Sequence, residues 1–207
     1  WAVGSEGGKA LAHGGEVWGL SGDTTGTRVA VRCYVSADGC NTPRDGFAPG
    51  VRARRGKVWF TNIPSVWQFS GDTKAESRTE ISRGYGVRFN FTGHDLHGLA
   101  WGPDGKLYFS VGDRGAPVKT QEGGVISVPD SGAVFRCNPD GSQMELVMTG
   151  LRNPQSLAFT ENGDLLTGDN DCDQGDEERL VHVVEGGDAG WRVGYQFPPL
   201  GKDSPWF

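Results

Sequence analysis

Two imidazoles and a carboxylate crowd into His94-Asp95-Leu96-His97. Imidazole titrates near neutrality, so a histidine held in a loop can take a proton from a substrate hydroxyl. The segment runs into Gly98-Leu99-Ala100-Trp101, whose apolar and aromatic composition is that of a strand, and so the histidines stand where a loop meets that strand. Either one can instead bond a neighbouring loop for purely structural ends; His94 is the stronger candidate for a base and His97 the stronger candidate for a structural tie. A metal site on both histidines and Asp95 has no helix to set its spacing. Asp113 and Arg114, in Val111-Gly112-Asp113-Arg114-Gly115, are further polar candidates just beyond the next strand.

Farther along, Gly150-Leu151-Arg152-Asn153-Pro154-Gln155 combines a planar cationic fork with neutral donors and acceptors. Arg152 suits a carboxylate, a quinone oxygen or a phosphate, with Asn153 and Gln155 beside it and Pro154 stiffening the loop. An acidic residue of an adjacent loop would serve Arg152 equally as a partner. A third constellation follows in Gly168-Asp169-Asn170-Asp171-Cys172-Asp173-Gln174-Gly175-Asp176-Glu177-Glu178. Carboxylates this dense repel unless a cation or a basic group sits among them, and calcium accepts irregular oxygen cages. Asp169, Asp171, Asp173, Asp176 and Glu177 are the candidate ligands; a solvated acidic loop is the alternative. The spacing is not that of an EF-hand, since Gly175 falls one position late and Leu180 stands where the closing Glu belongs.

Short strands joined by tight turns must position these groups. Leu99 to Trp101 and Leu107 to Val111 flank Pro103-Asp104-Gly105, a turn with a fixed φ, a self-capping side chain and a residue tolerant of positive φ. The pattern returns about 58 residues later at Ser156 to Thr167, and more weakly at Val51 to Ala53 and Val58 to Thr61. Ala133 to Cys137 and Met144 to Met148, joined by Asn138-Pro139-Asp140-Gly141-Ser142, add strands between the hairpins. No window carries a convincing helical period, and the 34 glycines fall singly at turns rather than in one tract. The expected fold is all-β: a β-propeller of four-stranded blades, about half of a six-bladed ring. Blade-like repeats are expected over 49–97, 98–150 and 151–197, with 1–48 an uncertain blade or edge and 198–207 a tail.

The net charge of -6 disfavours a nucleic-acid partner, because Arg52-Arg54-Arg55 is too short for a basic stripe and reads as a solvated loop. No apolar run is long enough to span a membrane. The four cysteines, Cys33, Cys40, Cys137 and Cys172, fit no zinc spacing, and without C-x-x-C-H there is no covalent c-type haem in this chain. Cys33 and Cys40 flank a turn-rich loop and could pair in an exported protein, or remain free thiols. Asn90-Phe91-Thr92 matches a glycosylation sequon but reads better as a segment leading to the histidines. An opening on Trp1 rather than Met is what a processed product or a partial reading frame gives.

The three constellations, in this order, resemble the β-propeller quinoprotein dehydrogenases typified by soluble, PQQ-dependent glucose and aldose sugar dehydrogenases. In that family the general-base histidine lies eight residues before the glycine that opens G-P-D-G, a position His94 holds relative to Gly102. The family's R-N-P-Q run stands intact at Arg152 to Gln155, which implies a quinone contact for Arg152. The resemblance also implies calcium near Asp169-Asn170, partly through backbone carbonyls. An acidic pair and a downstream G-G-x-x-G-W are matched by Asp176-Glu177 and by Gly186 to Trp191. Thr61-Asn62-Ile63-Pro64, Gly93 to Gly98, Val111 to Gly115 and Gly186-Gly187-Asp188 are similar to a large bacterial branch named for membrane-bound dehydrogenases. The likeness covers about residues 49 to 197. It departs at Gly93, where the glucose dehydrogenases have an acidic residue, and at Asp95, where they have asparagine; the cations that clamp the quinone from later blades have no counterpart.

The resemblance implies a dehydrogenase oxidising a sugar or polyol hydroxyl with PQQ and calcium, in the periplasm or outside the cell, passing electrons to a cytochrome. Missing clamps make these residues alone an expected poor or inactive enzyme, and a partial ring could close by homo-oligomerisation. Two other readings remain: a non-catalytic propeller that binds carbohydrate or protein, and a calcium-dependent lactonase-type propeller, which lacks the expected ring of carboxylates.

Overall fold

The computed structural model describes residues 50–71, 76–86, 93–172 and 176–196, together with strand backbone at 2–5, 8–13, 16–21 and 28–31. Cys33, Cys40, Asn90 to Thr92, Asp173 and the tail 198–207 lie outside the described residues. Strands β1 (Ala2–Ser5), β2 (Gly8–His13), β3 (Glu16–Ser21) and β4 (Arg28–Val31) form an antiparallel meander, so the amino-terminal region, whose character the sequence leaves open, is a four-stranded sheet. A second meander comprises β5 (Val51–Arg54), β6 (Lys57–Asn62), β7 (Ser65–Ser70) and β8 (Ser77–Arg83).

The third sheet is built on β9 (Leu96–Trp101), β10 (Leu107–Val111), β13 (Gly132–Cys137) and β14 (Glu145–Leu151). A ribbon that the sequence reading passes over, β11 (Ala116–Lys119) with β12 (Val125–Val128), is inserted between its second and third strands. Prolines at 117 and 129 and the glycine pair at 123–124 hide its alternation. The fourth sheet has three strands among the described residues: β15 (Pro154–Phe159), β16 (Leu165–Asp169) and β17 (Arg179–Val183). From β17 the chain doubles back, and β18 (Gly187–Asp188) pairs in parallel with the edge of β14 before the 3-10 turn Val193–Gln196. With β5 against β1 and β2, β9 against β5 and β6, and β15 against β9 and β10, the first strand of each sheet faces the preceding sheet. That succession of radially packed meanders is the expected propeller arrangement.

The turns explain the strand pairing. Gly105 has φ 81°, and the backbone closes through Gly102 N to Lys106 O (2.9 Å) and Gly105 N to Gly102 O (3.0 Å), with Asp104 Oδ1 accepting from Lys106 N at 3.0 Å. The same pair of backbone bonds recurs at Thr120 to Gly124, Asn138 to Ser142 and Thr160 to Asp164, each around a glycine in the fourth position. One local rule thus makes four hairpins among the described residues.

Between the second and third sheets, Phe109 and Phe135 stack at 5.7 Å while Tyr85 meets both edge-on at 5.1 and 5.5 Å. All three are fully buried alongside Leu96, Leu99 and Leu107. A second cluster around Val134, Leu151 and Leu157 joins the third sheet to the fourth. Phe109→Ala should cost about 3–5 kcal/mol, since rigid sheets on either side cannot collapse into the vacated space. Denaturant unfolding checks this, and a loss below about 1 kcal/mol would contradict the packing described.

Candidate functional site

Antiparallel pairing sets which loops meet. The start of β9 lies beside the end of β10, and the start of β15 beside the end of β16. His94 immediately precedes β9, Asp113 follows β10, Arg152 and Asn153 precede β15, and Asn170 follows β16. All five therefore gather at one end of adjacent sheets. The backbones must approach closely there: a Cβ on Gly112 would lie 2.6 Å from His94 Cα, so only glycine lets the exit of β10 pass beneath the histidine.

His94 Nδ1 is 2.8 Å from Asp113 Oδ1, and the other carboxylate oxygen, Oδ2, accepts from Trp191 Nε1 at 2.8 Å. Asp113 is 6 % exposed, and Trp191 is 1 % exposed. Asp113 accepts from a donor on each side, which fixes the proton of neutral His94 on Nδ1 and leaves Nε2 as the basic atom. The His94 side chain keeps 21 % of its surface exposed, enough for a substrate to reach it.

The second group is centred on Arg152, itself buried. Its NH1 donates to Asn170 Oδ1 (2.9 Å), its Nε and NH2 to Gln196 Oε1 (3.1 and 2.9 Å), and its guanidinium carbon stands 5.7 Å from the Trp191 ring centre. Trp191 therefore links the two groups, through its N–H to Asp113 and its ring to Arg152. The sequence reading quotes Trp191 only as the end of a motif and passes over Gln196 and Arg179. Nothing local marks them, because they reach the site through the β18 return and through β17.

The remaining candidates hold the frame. Asp95 is fully buried and accepts from Arg114 NH1 at 2.7 Å. His97 lies inside β9 and pairs Nε2 with Asn153 Oδ1 at 2.8 Å, tying the third sheet to the fourth. Asn153 thus spends its side-chain oxygen on a structural bond, while Gln155 is exposed on β15. His94, Asp95 and His97 diverge to three different partners and do not form a metal site.

Burial holds the His97 pKa below its ordinary value; the hydrogen bond to Asn153 and the charge of Asp95 oppose that effect without cancelling it. Unfolded His97 then binds a proton more readily than folded His97, so stability must fall as the pH drops through about 6.5 toward the lowered folded value. His97→Gln should remove this part of the pH dependence, measured as unfolding midpoints from about pH 7.5 to about pH 5. An unchanged slope would contradict it.

Several described carboxylates of the acidic loop are bonded to the protein's own donors. Asp169, 1 % exposed, accepts from the backbone N–H groups of Arg152 (3.0 Å) and Asn153 (2.8 Å) and from Arg179 NH2 (2.6 Å). Asp176 caps the Cys172 N–H at 3.0 Å, Asp171 accepts from Asn170 Nδ2 at 2.9 Å, and Glu177 is exposed. Among the described residues no three His, Cys, Asp or Glu side chains gather to hold a metal ion. Asp169 and Asp176 thus have cationic or backbone N–H donors against their charge. Arg152 offers a buried guanidinium fork, a donor set that suits a quinone oxygen.

The chain is 32% identical over 124 residues to quinoprotein glucose dehydrogenase B of Acinetobacter calcoaceticus, a match covering 47% of this chain and 26% of that protein. It is 26% identical over 151 residues to HIPL1 protein of Arabidopsis thaliana, covering 59% of this chain and 22% of that one. The match thus spans about a quarter of each relative. Among solved structures it superposes on a glucose dehydrogenase-type oxidoreductase of Thermus thermophilus with a TM-score of 0.64 at 17% identity, covering 98% of this chain and 65% of that one. For PQQ-bound aldose sugar dehydrogenase of Streptomyces coelicolor the TM-score is 0.58 at 18% identity, with coverages of 97% and 62%. The expected likeness to PQQ-type β-propellers is found in both sequence and fold. Residues 14–184 match the model of a domain of unknown function (DUF7133), and the chain belongs to that family.

Proposed function

We propose that this chain carries the base and part of the quinone-binding face of a quinoprotein-type dehydrogenase acting on a sugar or polyol hydroxyl. The observation that carries this reading is the His94–Asp113–Trp191 chain of hydrogen bonds, which leaves a solvent-accessible Nε2 next to a buried arginine fork. His94 Nε2 takes the hydroxyl proton, and Asp113 stabilises the imidazolium that results. Arg152 orients the oxygens of the bound quinone, while Trp191 fixes Asp113 and Arg152 relative to each other. PQQ, when bound, supplies the two-electron oxidant that takes the carbon-bound hydrogen as hydride. No step is assigned to calcium, given how the described carboxylates are used. A periplasmic or extracellular location accords with this reading.

Asp113→Asn tests the assignment. An asparagine whose oxygen accepts from Trp191 turns its NH2 toward His94 Nδ1 and shifts the imidazole proton to Nε2, the atom that must be free. Turnover should fall by about 10²-fold or more with quinone affinity unchanged, and the pH–rate profile should change shape. Full activity with an unaltered profile would sink the reading, whereas quinone-free hydrolysis of a sugar lactone by the unsubstituted chain would favour the lactonase alternative.

A further inference from the structure

The basic cluster that reads in sequence as a solvated loop has a second, unassigned use. Arg52 and Arg54 share one face of β5 yet differ in their contacts: Arg52 NH1 donates to Val51 O at 2.9 Å, while Arg54 lies over the Trp101 ring with its guanidinium carbon 4.9 Å from the ring centre. Arg54, Arg55 and Lys57 line a cleft of about 390 Å³ together with Trp59, Trp101 and Pro139. The cleft belongs to the β5–β6, β9–β10 and β13–β14 turns, which lie at the opposite strand ends from His94 and Asp113. One strand length, roughly 17–20 Å, separates the two faces.

Three features define what would fill it. Trp59 and Trp101 meet edge-on at 4.8 Å and give an apolar wall. Trp59 Nε1 donates to Pro139 O at 2.8 Å, but Trp101 Nε1 is buried without an acceptor among the described residues, a state that costs free energy until an oxygen arrives. Three cations, Arg54, Arg55 and Lys57, stand close together in a chain whose net charge is -6, and no carboxylate side chain lines the cleft. A pyranose presents a C–H face to an aromatic wall and hydroxyls to an indole N–H, and an acidic substituent on the ring supplies the missing anion. The volume suits one such ring rather than an extended chain.

We propose that this cleft binds an anionic sugar unit, a pyranose bearing a carboxylate or a sulfate ester, on the face opposite His94. The site is independent of the quinone and of the dehydrogenase reading.

Titration of the ¹⁵N-labelled chain, without PQQ, with glucuronate, glucose 6-sulfate, glucose and a glutamate hexapeptide tests it. The readout is the Trp101 indole N–H resonance, assigned through Trp101→Phe. Either anionic sugar should shift that resonance saturably, with at least about tenfold tighter binding than glucose and a loss of affinity as salt rises. An Arg54→Gln, Arg55→Gln double variant should lose that preference. Because the comparison among ligands uses the unsubstituted chain, the test holds even where the variant folds poorly. Equal binding of glucose, tighter binding of the glutamate peptide, or no shift at Trp101 with either anionic sugar would overturn the proposal.

Discussion

His94→Ala is expected to lower dye-linked sugar oxidation, measured with PQQ and calcium supplied, by about 10²–10⁴-fold, the range that general-base catalysis contributes. Neither Asp113 nor His97 replaces the imidazole, since Asp113 is buried and held by Trp191, and His97 is held within β9 by Asn153. The loss should appear in kcat far more than in KM, because the proton is taken in the transition state and not on binding. PQQ affinity should be unchanged, since the proposed quinone ligand is Arg152 and not His94. A variant with more than about a tenth of the original turnover would show that His94 is not the base.

Asp169→Ala carries the largest expected effect on stability. Its carboxylate, fully buried, accepts from two consecutive backbone N–H groups and from Arg179. Removal strands two buried amide donors, at a cost of about 1–3 kcal/mol for each. It also frees the turn that sets Arg152 and Asn153, so quinone binding should weaken together with stability. Asp169→Asn, which keeps one acceptor oxygen, should recover part of both. Urea unfolding of the two variants checks the order, and an alanine variant as stable as the original would refute the role given to this residue.

The contrast between Asp169 and His94 shows how far sequence carries. His94 is legible because its loop precedes a strand whose Pro103-Asp104-Gly105 turn fixes both register and direction, so the end of the sheet on which it stands follows from local chemistry. Asp169 reads as a cation ligand because neighbouring acids look unpaired in one dimension. Its actual partners, the Arg152 turn and Arg179, arrive through pairing of β15, β16 and β17, and no local rule announces Arg179. Trp191 is hidden for a related reason. It reaches Asp113 across 78 residues by way of β18, a two-residue parallel pairing too short to leave a pattern. The β11–β12 ribbon escapes notice because its alternation is broken by proline and glycine, though its Val118 and Val128 complete the core around Tyr85.

The basic cluster shows the same limit from the other side. Arg52, Arg54 and Arg55 look equivalent as text, and alternation puts Arg52 and Arg54 on one face of β5, yet Arg54 packs over a tryptophan and Arg52 bonds back to the Val51 carbonyl.

Titration of the purified chain with PQQ in the presence of calcium, followed by the cofactor's absorbance, tests the quinone site most directly when run beside Arg152→Ala. Saturable binding by the unsubstituted chain, lost in the variant, is the expected result. Absence of saturable binding, or binding that Arg152→Ala leaves intact, would contradict the quinone site.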